Sequence, residues 1–366
     1  MQIKKQTMFV LTGLIFILIF SLSGQGEPQN WKAKTLWESK EKIQRVIVAD
    51  IDPKHEGDEI ISVAANGEVV YTYESSGKWE NDILWVDTES LTGAAVGELD
   101  AAHPGREIVV GGVRGVVELI QFDTKKHQTI FDKGGSLHGL SVGELNPAYP
   151  SQEVVAVDED GQLFVLFKDS DWKSTLLLKD TGRLRDTVMG DFDRTHPGLE
   201  VLVVGSSAKV IQVYAENGNW KTKIINQASE PLGRVAAGEI LEKFPGPEVV
   251  VVGDKGGVYL LKQNNGAWES EEIYRDSDGL RGVAVADVQP NLPGNEVIIY
   301  GYSKNVTMIY LKNDKWAAKI LWTDSDRAHG LACGNFSPST SWQECVAGGY
   351  SKKVTAIFYK KNNIEE

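Results

Sequence analysis

The chain has 366 residues, of which 42% are hydrophobic, so it is long enough and apolar enough to bury a large core. Its 51 acidic and 38 basic residues give a formal net charge of -13. Nucleic acid and anionic membrane surfaces both repel such a protein, so neither is an expected partner.

The first 26 residues have the pattern of an export signal. Lys4 and Lys5 precede an apolar run from Met8 to Phe20, and small residues follow in SLSGQG. The run is short for a bilayer span, which needs about 20 apolar residues. We therefore expect a signal peptide over residues 1–26, an exported protein that is secreted or periplasmic, and no membrane span after cleavage. A retained anchor is the alternative.

The rest of the chain repeats one pattern seven times, as in LHGLSVGELNPAYPSQEVVAV from Leu137. A glutamate marks each copy after the first turn, and successive glutamates are 46–48 residues apart: Glu59, Glu107, Glu153, Glu200, Glu248, Glu296 and Glu344. Each copy reads as four short strands separated by turn residues, which is the size of a propeller blade. The sequence therefore predicts an all-β, seven-bladed propeller over residues 27–366, with repeats starting near residues 43, 91, 137, 184, 232, 280 and 328.

The seventh copy stops after its third strand, TAIFYKK. The segment WKAKTLWESKEK from Trp31 matches WAAKILWTDSDR from Trp316, which is the outer strand of the sixth copy. Residues 31–42 are therefore predicted to supply the missing outer strand of the last blade. That pairing closes the ring and hides a sheet edge that would otherwise invite association, so we expect a monomer.

The repeated glutamates are too regular to be catalytic, because catalysis needs one or two special groups. We interpret them as acceptors of backbone N–H bonds inside the first hairpin turn of each repeat.

The motif G-[DE]-[LFI]-D…HPG-x-E-[IV]-[VL]-V-G resembles the FG-GAP and VCBS repeat of integrin α N-terminal-like propellers, over essentially the whole mature chain. That family is built as propellers and includes adhesion, ligand-binding and enzymatic members. The calcium loop D-x-D-x-D-G-x-x-D of many relatives is absent, since Asp50 and Asp52 are followed by Lys54 and His55. No metal or other cofactor is expected, with calcium or another divalent cation as the minor alternative.

Residues around the central channel that differ between blades are informative, because the fold does not require them. This acidic chain places Arg, His and Tyr there, and converging cations attract an anionic ligand such as a uronate, a sulfated sugar or a phosphate. The predicted ligand-binding residues are His138, Arg185, Arg234, Arg281, His329, Asp158, Asp254, Tyr302 and Tyr350. The alternative is that the cations only pair with the neighbouring aspartates.

Two classes of function remain open from the residues. The first is an exported module that binds an anionic or carbohydrate ligand, or a protein partner, without chemistry. The sequence has no H-E-x-x-H, G-x-S-x-G or phosphate-loop motif in the mature chain, which favours this class.

The second class is an enzyme, namely a carbon–oxygen lyase acting on uronate polysaccharides, or a dehydratase or isomerase of acidic sugars. Arg185 or Arg281 would neutralise the carboxylate, and His138, His329 or Tyr302 would act as the base.

Cys333 and Cys345 are the only cysteines. Their symmetric placement about a predicted hairpin is compatible with a disulfide in an exported protein, and equally with two buried thiols.

Overall fold

The computed structural model describes residues 30–360, except residues 101, 102, 104, 194, 197, 245, 339 and 341. The predicted signal peptide, residues 1–26, lies outside the described residues. The described part of the chain forms 28 strands in seven sheets. It contains no helix long and apolar enough to cross a membrane.

The strands follow in chain order. The chain enters through β1 (Trp31–Glu38). Blade 1 contains β2 (Ile43–Ala49), β3 (Glu59–Ala64), β4 (Glu68–Ser75) and β5 (Lys78–Val86); blade 2 contains β6 (Leu91–Gly97), β7 (Glu107–Gly112), β8 (Val116–Gln121) and β9 (His127–Asp132). Blade 3 contains β10 (Leu137–Gly143), β11 (Glu153–Asp158), β12 (Gln162–Lys168) and β13 (Trp172–Lys179); blade 4 contains β14 (Leu184–Gly190), β15 (Glu200–Gly205), β16 (Lys209–Glu216) and β17 (Asn219–Gln227).

The second half of the ring repeats this order. Blade 5 contains β18 (Leu232–Gly238), β19 (Glu248–Gly253), β20 (Gly257–Asn264) and β21 (Ala267–Arg275); blade 6 contains β22 (Leu280–Ala286), β23 (Glu296–Gly301), β24 (Asn305–Lys312) and β25 (Lys315–Thr323). Blade 7 contains β26 (Ala328–Gly334), β27 (Glu344–Gly349) and β28 (Lys353–Tyr359), and its fourth strand is β1. The seven repeat starts predicted from the sequence coincide with the starts of the innermost strands.

The core lies between neighbouring blades. Every residue of each second strand is buried, because the sheets on both sides cover it. In one such layer, Ile61 and Val63 of blade 1 pack with Ile108 and Val110 of blade 2. The outer strands are largely exposed, as their polar sequences predict.

Pairing of β1 with β28 closes the ring, which confirms the predicted closure. The two strands run antiparallel, from Trp31 opposite Tyr359 to Glu38 opposite Lys353. The strand is shorter than the predicted segment 31–42, because residues 39–42 turn the chain into β2. The Ser39 hydroxyl accepts the Glu41 N–H at 3.2 Å and stabilises that turn.

A disulfide joins Cys333 in β26 to Cys345 in β27. The two residues are directly opposite in the antiparallel register, and their Cα atoms are 4.0 Å apart. Of the two alternatives left open by the sequence, the structure therefore contains the bridge. It lies in the blade that is assembled from both ends of the chain.

The repeated glutamates clamp the first turn of each blade, as interpreted from the sequence. Oε2 of Glu59 accepts the N–H groups of Ile51 at 2.9 Å and Asp52 at 3.0 Å. The same pair of bonds, from residues seven and eight positions earlier, recurs at the glutamates of blades 2 to 6. In blade 7, Glu344 accepts the N–H of Phe336 at 3.2 Å and a further backbone bond from Ser337.

Burial of these carboxyl groups raises their pKa, although the two N–H bonds oppose the shift. The pKa rises to about 7 for Glu59, Glu200 and Glu296, and to about 8 for Glu344. In five of the seven, the second oxygen, Oε1, has no hydrogen-bond partner among the described residues. An ionised carboxylate at these sites is therefore incompletely compensated.

The raised pKa predicts that stability falls as the pH rises. A group whose pKa is higher in the folded than in the unfolded chain stabilises the fold below its unfolded value and loses that contribution as the pH passes the folded value. Between pH 5 and pH 9, Glu296 is therefore expected to cost about 1–3 kcal/mol of unfolding free energy. The Glu296→Gln variant keeps the acceptor oxygen and should escape this loss, as measured by urea unfolding at both pH values.

The exposed Glu271 provides the control for that experiment. Glu271→Gln removes the same charge from the surface and should leave the pH dependence as in the parent protein. Equal pH dependence of the parent and the Glu296→Gln variant would contradict the interpretation.

Candidate functional site

A β-bulge interrupts the pairing near the start of each innermost strand, beside the central channel. In β18, Leu232 pairs with Gly253 and Arg234 pairs with Val252, so Gly233 has no partner in the ladder. The same shift near the strand start occurs in the other six innermost strands. A bulge leaves its extra residue unpaired and redirects the neighbouring side chains. Side chains from the second position, such as Arg185, and from the third position, such as Arg234, therefore both reach the channel.

One end of the channel forms a cavity of about 310 Å³, here called the mouth cavity. Six of the nine predicted ligand-binding residues line it: His138, Arg185, Arg234, Arg281, Tyr302 and His329. It is also lined by Gln44, Thr92 and Gly233, at second positions of their strands, and by Lys42 and Arg183, which sequence reasoning missed. Lys42 and Arg183 directly precede innermost strands, so extending the inspected positions by one residue would have found them.

The other three predicted residues differ in their surroundings. Asp254 accepts hydrogen bonds from Arg185 and from Arg281, each at 2.8 Å, and so spans blades 4 to 6 beside the cavity. Tyr350 lies at the rim, where its ring contacts His329 with ring centres 5.6 Å apart.

Asp158 does not line the cavity, contrary to the prediction. Its side chain is completely buried, and it is ion-paired with Lys133. It also accepts the Gln162 N–H at 2.8 Å, so its carboxylate stabilises the turn between β11 and β12.

A second cavity of about 420 Å³ lies farther along the channel. Arg234 and Arg281 line both cavities and therefore lie between them. In the second cavity, Arg45 of blade 1 donates to Asp186 of blade 4 at 2.7 Å. This ion pair links strands from opposite parts of the ring.

Three polar atoms at the mouth cavity are buried and have no hydrogen-bond partner among the described residues: Nε of Arg234, Nε2 of His138 and Nδ1 of His329. Arg234 donates only to the carbonyl of Gly233, at 3.1 Å. Within the described chain no carboxylate lies within 4.0 Å of its guanidinium, whereas Arg45, Arg185 and Arg281 each have one. Of the four half-buried arginines of the channel, Arg234 is therefore the one that lacks a carboxylate partner.

Burial, followed by repulsion from Arg45, lowers the pKa of Arg234 to about 10, so the group stays charged at neutral pH. Part of this side chain still touches the solvent of the channel. Burial and the charge of Arg234 also lower the pKa of His138, and they lower that of His329 to about 3. At neutral pH the cavity thus combines Arg234, which has no carboxylate partner, with two uncharged imidazoles.

The described residues contain no cluster of His, Cys, Asp and Glu suited to a metal ion. In the first hairpin turns of blades 1 and 4, the aspartates bond to the turn itself. Asp52 accepts the Lys54 N–H at 3.1 Å, and Asp193 accepts both the N–H and the hydroxyl of Thr195. Few oxygens remain for an ion that needs six to eight ligands.

No family model matches the sequence, and no curated protein matches it. Among solved structures, the chain is similar to the WD40 β-propeller domain of Doa1, with a TM-score of 0.64 and 13% sequence identity. The match covers 91% of this chain and 98% of that domain. At this identity the likeness supports the propeller fold alone.

The unpaired guanidinium predicts that removing it stabilises the protein. Replacing Arg234 by methionine keeps most of the side-chain volume and deletes a poorly compensated charge, so the free energy of unfolding should rise by about 1–3 kcal/mol. Urea unfolding in dilute buffer measures this change.

The exposed Arg183 at the same cavity is the matched control, because Arg183→Met deletes an equal charge that water already solvates. If Arg234→Met does not raise the free energy of unfolding more than Arg183→Met does, the assignment is wrong.

Proposed function

We propose that this protein is an exported binding module whose mouth cavity takes a small anionic ligand, in particular the carboxylate of an acidic sugar. The supporting observation is the unpaired Arg234. A buried charge without a partner is costly, and a protein retains one where a ligand supplies the missing charge. Asp186 and Asp254 already bond Arg45, Arg185 and Arg281, so a ligand carboxylate would give Arg234 the ion pair that it lacks within the described chain.

The chemistry of the cavity indicates what the rest of the ligand carries. A guanidinium binds a carboxylate through two parallel hydrogen bonds. The free nitrogens of His138 and His329 belong to neutral rings, which can exchange hydrogen bonds with hydroxyl groups. A cavity of about 310 Å³ has room for one sugar ring. A hydroxylated carboxylate such as a uronate therefore fits this arrangement better than phosphate or sulfate alone.

Export is part of the same proposal. The signal pattern of residues 1–26 and the resemblance to FG-GAP and VCBS repeats support it. The disulfide between Cys333 and Cys345 is also of the kind that persists in oxidising compartments outside the cytosol. A secreted or periplasmic protein would meet acidic polysaccharides in its surroundings.

Asp254 lowers the positive charge that Arg185 and Arg281 present to a ligand. It accepts two bonds from Arg185 and one from Arg281, so both cations are partly neutralised. An incoming carboxylate competes with Asp254 for these arginines and binds more weakly than it would without the aspartate.

Binding of galacturonate, measured by isothermal titration calorimetry, tests the proposal. Arg234→Met should weaken binding by about tenfold or more, because it removes a charge-assisted bidentate contact. Asp254→Asn should strengthen binding by about three- to tenfold, because it releases Arg185 and Arg281.

Lys243→Gln serves as the control, since it changes the net charge by one unit at a fully solvated position away from the channel. Binding that is unaffected by Arg234→Met, or no galacturonate binding at all, would refute the assignment of the cavity to a uronate.

A lyase is the second candidate, favoured by the two neutral imidazoles beside the arginines. An uncharged histidine can remove the proton next to the carboxylate while an arginine stabilises the developing charge. Loss of the leaving oxygen from the adjacent carbon would create a double bond that absorbs in the ultraviolet. Absorbance that rises on incubation with polygalacturonate, and that His138→Gln abolishes, would assign the protein to this class; a flat trace together with calorimetric binding supports the binding module.

A further inference from the structure

Blades 6 and 7 carry the same turn after their second strands, Gly301-Tyr302-Ser303-Lys304 and Gly349-Tyr350-Ser351-Lys352. The lysine of each turn has a left-handed backbone, with φ of 70° at Lys304 and 65° at Lys352. The equivalent left-handed residue is a glycine in four blades and an alanine in the fifth: Gly67, Gly115, Gly161, Gly256 and Ala208. Two adjacent blades thus place a lysine where the backbone favours glycine.

A left-handed backbone is unfavourable for a residue with a side chain, so the two lysines are retained at a cost. Each ammonium group donates to a backbone carbonyl, Lys304 to Ser325 at 3.1 Å and Lys352 to Lys40 at 2.7 Å. The four blades that have glycine at this position form the same turn without a hydrogen bond from an ammonium group. The turn itself therefore does not require lysine. What the lysines add is positive charge.

The two tyrosines of these turns gather further cations. The guanidinium of Arg327 lies 4.4 Å from the ring centre of Tyr350 and 5.6 Å from that of Tyr302, and so bridges the two blades. Lys42 lies 5.0 Å from the Tyr350 ring. Such cation–π contacts hold a charged group in place without neutralising it.

We call this surface the basic strip; it consists of Lys42, Tyr302, Lys304, Arg327, Tyr350 and Lys352. It is continuous with the mouth cavity, because Lys42 and Tyr302 line both. In the described chain no carboxylate lies within 4.0 Å of its three lysines, and Arg327 has only Asp326, at 3.8 Å. By contrast, Lys133 of blade 2 is neutralised by Asp158 and Asp160. The cations of the basic strip thus lack the close carboxylate partners that Lys133 has in blade 2.

We propose that the basic strip binds the following sugars of an anionic polysaccharide whose first acidic sugar occupies the mouth cavity. This inference rests on the proposed function of that cavity. One sugar in the cavity cannot reach cations spread over three blades, whereas a chain with one carboxylate per sugar can contact several in succession. Linking several weak contacts along one ligand raises the affinity for the chain over that for its monomer.

The double variant Lys304→Gly and Lys352→Gly tests the strip, because glycine suits the left-handed backbone and the protein should fold at least as well. Calorimetry with galacturonate and with its linear hexamer provides the readout. We expect the parent protein to bind the hexamer about tenfold more tightly than the monomer. The double variant should lose about fivefold or more of its hexamer affinity, and the loss should shrink in high salt, because exposed charges are screened. Monomer affinity should not change.

Ala208→Gly is the matched control, since it relieves the same backbone conformation, φ 63°, in blade 4 without removing a charge. It should leave both affinities unchanged. Thermal unfolding of all variants confirms that the glycines have not disturbed the fold.

The outcomes separate the two proposals. If the monomer binds and Arg234→Met abolishes it, but the hexamer binds no more tightly or the double variant keeps full hexamer affinity, the strip is refuted and the cavity assignment stands. If neither saccharide binds, both are refuted. A hexaglutamate peptide that binds as tightly as the hexamer, and loses affinity in the double variant, would assign the strip to acidic protein segments and overturn the polysaccharide.

Discussion

The antiparallel pairing of β1 with β28 is the constraint on which the rest of the structure depends. Only residues 39–42 separate β1 from the innermost strand of blade 1, so docking β1 on blade 7 also places β2 beside β26. The approach is close: a Cβ added to Gly330 would lie 2.8 Å from the backbone nitrogen of Val46. Closure therefore brings Lys42, from the start of the ring, next to Tyr350 from its end. The mouth cavity and the basic strip both cross this seam, and neither would exist in an open ring.

Residues that recur in every blade stabilise the fold, whereas residues that differ between blades line the channel. The buried glutamate of each blade clamps a hairpin through two backbone bonds, and the second strands fill the layers between blades. Because these tasks recur in every blade, they occupy the same positions each time. The second and third positions of the innermost strands take part in neither task. One blade can therefore carry Arg234 at the channel while another carries His329. Variation in a repeat protein is thus concentrated where the scaffold does not need uniformity.

Repeat period and strand pattern were sufficient to predict the blade number, the strand starts and the closing strand, because these follow from local periodicity. The cavity was predicted in part, since six of the nine predicted ligand-binding residues line it: five lie at the second or third position of an innermost strand, and Tyr302 directly follows a second strand. Asp158 was misplaced because its partner is Lys133, in a loop of the preceding blade, and such a pairing leaves no periodic trace. The bridge from Arg185 to Asp254 spans 69 residues and could not be read from spacing either. Only the three-dimensional structure shows that Arg234 lacks a carboxylate while the other half-buried channel arginines, Arg45, Arg185 and Arg281, each have one.

An acidic chain can hold unpaired cations at its hub because its stability lies elsewhere. The hydrophobic layers lie between blades, and the channel side chains are not part of them. Four arginines lie near the axis, and the two carboxylates Asp186 and Asp254 pair with three of them, Arg45, Arg185 and Arg281, but not with Arg234. The repulsion this creates is local to the channel, whereas the net charge of -13 belongs to the whole chain. The net charge of the chain and the local charge of its channel thus have opposite signs. On the proposed function, a ligand that supplies one carboxylate to Arg234 would relieve this repulsion.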